Sequence, residues 1–283
     1  MPSLTKSAKR AAYLSYQAAC RALWRLKGGR TIRLFGTSVT VDPTTDFPKY
    51  RRYQLSAGKP TEHIAQYADF VQLMSIARYL NEIEEPPTIV EVGAYEGAYA
   101  VILGKLAAAK GGRVFAIEPN SRSFRKLQSN VTKNRLESSV TCIHAAVGER
   151  RGRANLSLDG SQSGVSEKAP WQAGCEGEES EIVPLSELLS GQHITKVHLL
   201  IIDVEGAELP VLRGYPWGEI PVDRIYCELH PYAWPSFGYT KEEMFNFLED
   251  RGLQPLDMYL GQPGPHVGDG YVGPTLLMRQ GQV

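Results

Sequence analysis

The sequence predicts an α/β fold built on an open, doubly wound sheet. From Thr88 onward, runs of strand-forming residues alternate with helical segments almost to the C-terminus. The runs at 88–93, 197–203 and 224–230 are nearly continuously apolar, as expected of strands buried on both faces. Acidic or imidazole side chains stand at the ends of five strands, which predicts a ligand site at the carboxyl edge of the sheet.

The charges are unevenly distributed along a chain whose overall composition is that of a globular protein. Of the 283 residues, 42% are hydrophobic and 22% are charged. Residues 1–41 contain eight basic residues and no acidic one, whereas residues 42–283 contain 23 basic and 31 acidic residues. Because this larger part carries a net charge of −8, we expect no binding of nucleic acid.

The cysteines and the apolar runs favour a cytoplasmic protein. The cysteines are widely spaced, with no C-x-x-C pair, at Cys20, Cys142, Cys175 and Cys227. This spacing predicts neither a zinc site nor a redox dithiol. The most apolar run, residues 197–204, is too short to span a bilayer.

Residues 1–30 predict a basic amphipathic helix, whose helical pattern covers residues 6–27. Its middle is too weakly apolar for a secretory signal. Two interpretations stay open. Residues 6–27 contact an anionic membrane surface or a partner, which makes the protein peripheral at the membrane, or they pack on their own domain or are partly disordered.

Residues 31–87 predict a strand, a connection and a helix that packs on the core. The strand covers residues 31–41, and the connection covers residues 42–60, where proline and glycine recur. The helix covers residues 61–83, and a pair of prolines ends it.

Residues 88–283 predict the main domain. Its predicted elements are strands at 88–93, 113–118, 140–147, 197–203, 224–230, 256–260 and 275–279, and helices at 97–109, 121–134 and 240–251. An irregular insertion at 159–181, rich in Gly, Ser and Glu, separates the third strand from the fourth. This insertion is either a lid on the acceptor side of the site or a plain surface loop.

The stretch Thr88-Ile-Val-Glu-Val-Gly-Ala-Tyr-Glu-Gly97 predicts a strand that turns into a helix. Such a turn directs unpaired N–H groups and the positive end of the helix dipole at a ligand, and the glycines would let that ligand approach closely. Bulky Tyr95 and anionic Glu96 replace the glycine pattern that a dinucleotide's pyrophosphate needs. A cofactor with a cationic amino-acid tail is therefore favoured, with Glu91 facing its ammonium group.

Glu118 ends the second strand of the main domain, 25 residues after Gly93. An acid at this place can accept hydrogen bonds from both ribose hydroxyls of an adenosine cofactor. The alternative is a surface or helix-capping acid.

Three segments resemble the motifs of the FkbM-type S-adenosylmethionine-dependent methyltransferases. They are Ile89-Val-Glu-Val-Gly-Ala-Tyr-Glu-Gly97, Phe115-Ala-Ile-Glu-Pro-Asn120 and Ile202-Asp-Val-Glu-Gly-Ala-Glu208 with Val211-Leu-Arg-Gly214. The resemblance implies a Rossmann-like class I methyltransferase fold, with a seven-stranded sheet whose last strand is antiparallel. It also implies S-adenosyl-L-methionine as cofactor and O-methylation of a hydroxyl on a small molecule or glycan. Ile201 and Ser186 depart from the family pattern, which leaves the acceptor open.

The resemblance further implies the site residues. The expected cofactor-binding residues are Glu91, Gly93, Ala94, Tyr95, Gly97, Glu118, Pro119, Asn120, His144, Ala145 and Asp203. The expected catalytic residues are Asp203, Glu205 and His230, with Asp203 or His230 as the general base. Glu208 is either catalytic or a first-turn acid that complements the helix dipole.

Glu228 and His230 lie on the same side of their predicted strand. That placement permits a pair in which one residue positions the other, or a metal site with Asp203. Because no spacing demands a metal ion, none is expected.

The aromatic residues after His230 are either a flat acceptor surface or loop packing. They are Tyr232, Trp234, Phe237 and Tyr239.

Two other functions are alternatives. One is an NAD(P)-dependent oxidoreductase on a Rossmann fold, against which the turn after Gly93 argues. The other is a catalytically silent, methyltransferase-like binding module, against which the acids at five strand ends argue. The sequence does not indicate the oligomeric state.

Overall fold

A computed structural model describes residues 30–34, 37–41, 65–157, 165–166, 177–258, 262–263 and 273–279. The predicted helix at 6–27 and the connection at 42–60 lie outside the described residues and stay predictions. Among the described helices, none is both long and apolar enough to cross a membrane.

The described elements alternate between strands and helices through most of the chain. The strands are β1 (Arg30–Leu34), β2 (Thr37–Val41), β3 (Thr88–Val92), β4 (Arg113–Ile117), β5 (Val140–Ile143), β6 (Ala146–Gly148), β7 (Gly152–Ser157), β8 (Val165–Ser166), β9 (Gly177–Pro184), β10 (Val197–Ile202), β11 (Val222–Leu229), β12 (Leu253–Asp257), β13 (Gln262–Pro263) and β14 (Gly273–Arg279). The helices are α1 (Ala65–Glu82), α2 (Ala98–Ala108), α3 (Ser121–Lys133), α4 (Leu185–Gly191), α5 (Glu208–Arg213) and α6 (Lys241–Asp250), with a 3₁₀ turn at Trp234–Phe237.

The main sheet has the strand order β13-β12-β14-β11-β10-β3-β4-β5. Neighbouring strands from β11 to β5 are parallel, and β14 is antiparallel to both β11 and β12. This confirms the predicted doubly wound sheet with its last strand antiparallel, to which the two-residue strand β13 adds an edge. The strand order changes direction between β3 and β10, where such sheets bind ligands.

The sheet separates two hydrophobic clusters. One contains buried residues of α1, α2 and α3, such as Leu80 and Val101, and the other contains buried residues of α4, α5 and α6, such as Leu212. Within β3, Ile89 belongs to the first cluster and Val90 to the second, because successive strand residues face opposite sides.

Three predicted segments differ from the structure. The single strand expected at 31–41 is a hairpin, in which β1 and β2 pair antiparallel. The strand expected at 140–147 divides after Ile143, and β6 leaves the main sheet to pair with β9. The irregular insertion expected at 159–181 is extended over residues 165–166 and 177–181, which belong to β8 and β9.

The last two differences have one cause, which is a second sheet with the strand order β6-β9-β7-β8. β9 pairs with β6 on one side and with β7 on the other, so backbone hydrogen bonds hold its polar sequence extended. Ala146, Ala154 and Ile182 form a small core of their own there. Such pairing between distant segments leaves no periodicity in the sequence.

Candidate active site

The turn after β3 is tied to the ends of two neighbouring strands. The N–H groups of Gly93 and Ala94 donate to the carbonyl of Ile117, over 3.0 and 2.9 Å. Gly93 has a φ of +87°, and a Cβ there would lie 1.7 Å from the carbonyl oxygen of Asp203, at the end of β10. The backbone that approaches Gly93 is therefore that of Asp203, where sequence analysis expected a ligand.

Gly97 begins α2 with a φ of +84°, and a Cβ there would lie 2.5 Å from Cδ1 of Leu127 in α3. This glycine lets α2 and α3 pack closely. The expectation that both glycines serve the approach of a ligand is corrected accordingly.

The side chain of Glu96 points away from the turn's ligand side. Its carboxylate pairs with Lys126 of α3, and its carbonyl accepts a hydrogen bond from Asn130 Nδ2 over 2.9 Å. The argument that Glu96 repels a diphosphate therefore loses its basis. The negative charge that faces the site comes from Glu91, Glu118 and Asp203, whose mutual repulsion contributes to raising the pKa of Glu91.

Glu118 links the turn after β3 to the end of β4. It is buried, and its two oxygens accept hydrogen bonds from the N–H of Tyr95 over 2.7 Å and of Asn120 over 2.8 Å. Burial raises the pKa of Glu118 to about 7, although these two bonds oppose the rise. Each oxygen keeps a second lone pair, so the carboxylate can still accept ribose hydroxyls.

Asn120 caps α3 with its side chain. Its Oδ1 accepts hydrogen bonds from the N–H groups of Arg122 and Ser123, both over 3.0 Å. Its buried side chain thus has a structural task beside the expected contact with the cofactor.

His144 donates through Nε2 to the carbonyl of Pro119 over 2.9 Å, since a carbonyl only accepts. Its ring stacks on Phe124 of α3, with the ring centres 4.7 Å apart. Ala145 beside it is buried. The Phe124 ring is an aromatic surface that sequence analysis missed, since nothing local distinguishes it from a core residue.

Glu91 is buried in the centre of the sheet, and its Oε2 makes no hydrogen bond with any described residue. Burial first, and the charges of Asp203 and Glu118 second, raise the pKa of Glu91 well above its ordinary value. A buried carboxylate without a partner is costly. A ligand ammonium group at this place would remove that cost, so the residues present fit a cofactor with an amino-acid tail.

We expect Glu91→Gln to stabilise the protein without ligand. Because the folded pKa of Glu91 lies above its unfolded value of about 4.3, Glu91 costs nothing below that pH and up to about 1.4 kcal/mol per pH unit above it, until the pH passes the folded pKa. The gain in free energy of unfolding should therefore be larger at pH 7 than at pH 5, measured by urea unfolding. Glu219→Gln, at an exposed position, is the control. An equal gain at both pH values would contradict this account.

The turn after β10 resembles the turn after β3. Glu205 and Tyr95 each have left-handed backbone, with φ of +50° and +49°, although neither is a glycine. Such strain persists where surrounding contacts fix it, and it is concentrated at functional sites. Here Asp203 donates its N–H to the carbonyl of Val92 over 2.9 Å, which joins the two turns.

Glu208 is fully buried and anchors the loop that follows β11. It accepts from the N–H of Gly206 over 3.0 Å and from Trp234 Nε1 over 2.8 Å. The hydroxyl of Tyr239 lies 3.1 Å from it, and His230 Nδ1 lies 2.6 Å from it. Trp234 and Tyr239 are therefore packing residues, whereas Tyr232 is 49% exposed and donates to Glu205 over 2.7 Å.

His230 lies at the centre of four carboxylates. Burial alone would lower its pKa, but the hydrogen bond and charge of Glu208, with the charges of Asp203 and Glu205, raise it to about 9. Without a ligand, His230 is therefore protonated at neutral pH and accepts no proton. Of the two expected bases, the geometry favours Asp203, whose side chain is 48% exposed.

Comparison with known proteins matches this chain to one family model and several relatives. Residues 91–255 match the model of the methyltransferase FkbM domain. Hexuronic acid methyltransferase AglP of Haloferax volcanii is 28% identical over 152 residues, which are 53% of this chain and 59% of AglP.

Solved structures with similar folds are methyltransferases as well. Methyltransferase FkbM from Methylobacillus flagellatus KT has 15% identity and a TM-score of 0.41 over 82% of this chain and 59% of that one. A SAM-dependent O-methyltransferase from Thermotoga maritima has 16% identity and a TM-score of 0.39 over 89% of this chain and 77% of that one. The chain thus spans less than two thirds of the length of AglP and of the Methylobacillus protein.

Proposed function

Because this chain belongs to the family of methyltransferase FkbM domains, we propose that it transfers a methyl group from S-adenosylmethionine to a hydroxyl oxygen of a small molecule or glycan. The enzyme class expected from the sequence, a methyltransferase, is confirmed by the family. The observation that carries the proposal is the pair of acids at the ends of β3 and β4. Glu91 is buried without a partner among the described residues, and Glu118 is held in place by two N–H groups.

The proposed cofactor lies across the ends of β3, β4 and β5. Glu91 pairs with its ammonium group, and Glu118 accepts its ribose hydroxyls. The adenine lies toward His144 and Phe124, whose stacked rings extend from the end of β5. The acids Glu91, Glu118 and Asp203 attract the cation and repel a diphosphate, and this argues against the NAD(P)-dependent alternative.

S-adenosylmethionine supplies, when bound, a methyl group whose bond to sulfur breaks as the acceptor oxygen bonds to its carbon, so that the electron pair stays on sulfur. The protein's main task is alignment, which can account for about 7 to 11 kcal/mol of the barrier. Asp203 accepts the hydroxyl proton, an effect of about 10² to 10⁴ in rate. The bond between His230 and Glu208 fixes the side of the cluster opposite Asp203.

The acceptor is the least determined part of the proposal. AglP is named for a hexuronic acid, which makes sugar acids the first class to test. Transfer of a labelled methyl group to glucuronic or galacturonic acid, free or in a glycan, would support this choice. Transfer to neutral sugars alone would contradict it.

We expect Glu118→Gln to weaken binding of S-adenosylmethionine by about 10- to 100-fold, or about 1.4 to 2.7 kcal/mol. Glutamine has one acceptor oxygen, so the N–H of Tyr95 or of Asn120 faces an amide NH₂ and the turn is misplaced. Isothermal titration calorimetry measures the effect, with exposed Glu137→Gln as control. Tight binding of NAD with no binding of S-adenosylmethionine would overturn the proposed function.

A further inference from the structure

Three carboxylates surround Nε2 of His230 at similar distances. Nε2 lies 3.6 Å from Glu205 Oε2 and 4.0 Å from both Asp203 Oδ1 and Glu228 Oε1. These distances are too long for hydrogen bonds. They match ligands that share one ion, because ligands at about 2.1 Å from a metal in an octahedron lie about 3.0 Å apart as neighbours and about 4.2 Å apart as opposites.

The His230 ring is held in the orientation of a metal ligand. The imidazole is buried, and its Nδ1 bonds to Glu208 over 2.6 Å, which leaves Nε2 directed at the carboxylates. A carboxylate on the far nitrogen is the usual partner of a metal-binding histidine, since it fixes the ring and makes the ligating nitrogen more basic. Glu208 is itself held by Gly206 and Trp234.

We propose that Asp203, Glu205, Glu228 and His230 bind a divalent cation of the hard class, such as Mg²⁺ or Mn²⁺. The ligand atoms of Asp203, Glu205 and His230 all lie within 4.8 Å of one another, so small side-chain rotations bring them to one ion. Three oxygen ligands with a single imidazole favour a hard cation over a thiophilic one. The cation displaces any proton on Nε2 and offsets the repulsion among the acids.

This inference deepens the proposed function, on whose methyl transfer it rests for its purpose. A cation at this place, beside Asp203, would hold the acceptor's oxygen and lower the pKa of its hydroxyl. Binding of the cation, however, needs neither the acceptor nor the transfer. The two proposals can therefore fail separately.

The chain contains a second histidine and acid cluster that serves as an internal control. Glu85, His198 and Asp223 also lie close enough to share an ion. There, however, Lys196 Nζ lies 2.5 Å from Glu85 and 3.1 Å from Asp223 and supplies the positive charge. His198 Nδ1 accepts the N–H of Thr88, so it offers no ligand through that nitrogen.

The test is binding of Mn²⁺ to the full chain without acceptor, by calorimetry and by electron paramagnetic resonance. We expect one saturable site, with hyperfine coupling to the nitrogen of one histidine. Asp203→Asn and Glu228→Gln should each weaken binding by about tenfold or more, whereas Glu85→Gln should leave it unchanged. Thermal unfolding and S-adenosylmethionine binding of each variant report whether it is folded.

Three outcomes would overturn the cation site. They are absence of saturable Mn²⁺ binding in the millimolar range, bound Mn²⁺ without nitrogen coupling, and equal losses from Asp203→Asn and Glu85→Gln. If S-adenosylmethionine binds normally in any of these cases, the methyltransferase proposal stands and the cation site alone fails.

Discussion

Gly93→Ala should destabilise the protein by at least about 3 kcal/mol, or prevent it from folding. Alanine at a φ of +87° is strained, and its Cβ would lie 1.7 Å from the carbonyl oxygen of Asp203. That carbonyl has little freedom to move, because the N–H of Asp203 is bonded to Val92 in the neighbouring strand. The variant should also bind S-adenosylmethionine far more weakly, since the turn after β3 joins the cofactor side to the acceptor side.

Gly111→Ala is the matched control for this change. Gly111 also has a left-handed backbone, with a φ of +73°, but nothing lies within 4 Å of an added Cβ. The control should lose only the backbone strain of about 1 to 2 kcal/mol. Urea unfolding of both variants separates close approach from backbone conformation, and equal losses would show that the contact with Asp203 does not matter.

Glu208→Gln should cost about 3 to 5 kcal/mol, the loss that follows when one partner of a buried charged pair is removed. The glutamine NH₂ group would face donors, because Gly206, Trp234 and His230 all direct N–H groups at this carboxylate. His230 would then turn away from the cluster. We therefore expect a loss of transfer activity larger than the loss of S-adenosylmethionine affinity.

Exposed Glu242→Gln is the control for Glu208→Gln. Glu208 and Glu242 both lie in the first turn of a helix, α5 and α6, and both meet a helix dipole. If the dipole were the whole task of Glu208, both variants would lose only about 0.3 to 1 kcal/mol. Chemical unfolding at pH 7 decides between the two interpretations, and a small loss for both would rule out the buried anchor.

The sequence predicted the parts of the site whose residues lie close together in the chain. The apolar run of β3, the turn to Gly97 and the acid at Glu118 form one strand–helix–strand unit, and local patterns specify such a unit. The class of enzyme was also predicted, through motifs that the family comparison confirms.

Contacts between distant segments could not be predicted in the same way. Gly93 is adjusted to Asp203, 110 residues later, and no local signal predicts that contact. The assignment of His230 as a free base was limited for the same reason. Its protonation depends on Glu208 and on the turn after β10, which only the fold brings beside it.

The most direct test of the account is a crystal structure of the protein soaked with S-adenosylhomocysteine. We predict that its amino group lies within hydrogen-bond distance of Glu91 and that both ribose hydroxyls contact Glu118, with the sulfur directed toward Asp203. Density for the nucleoside at any other place, or an amino group remote from Glu91, would contradict the assignment of this edge of the sheet as the cofactor site.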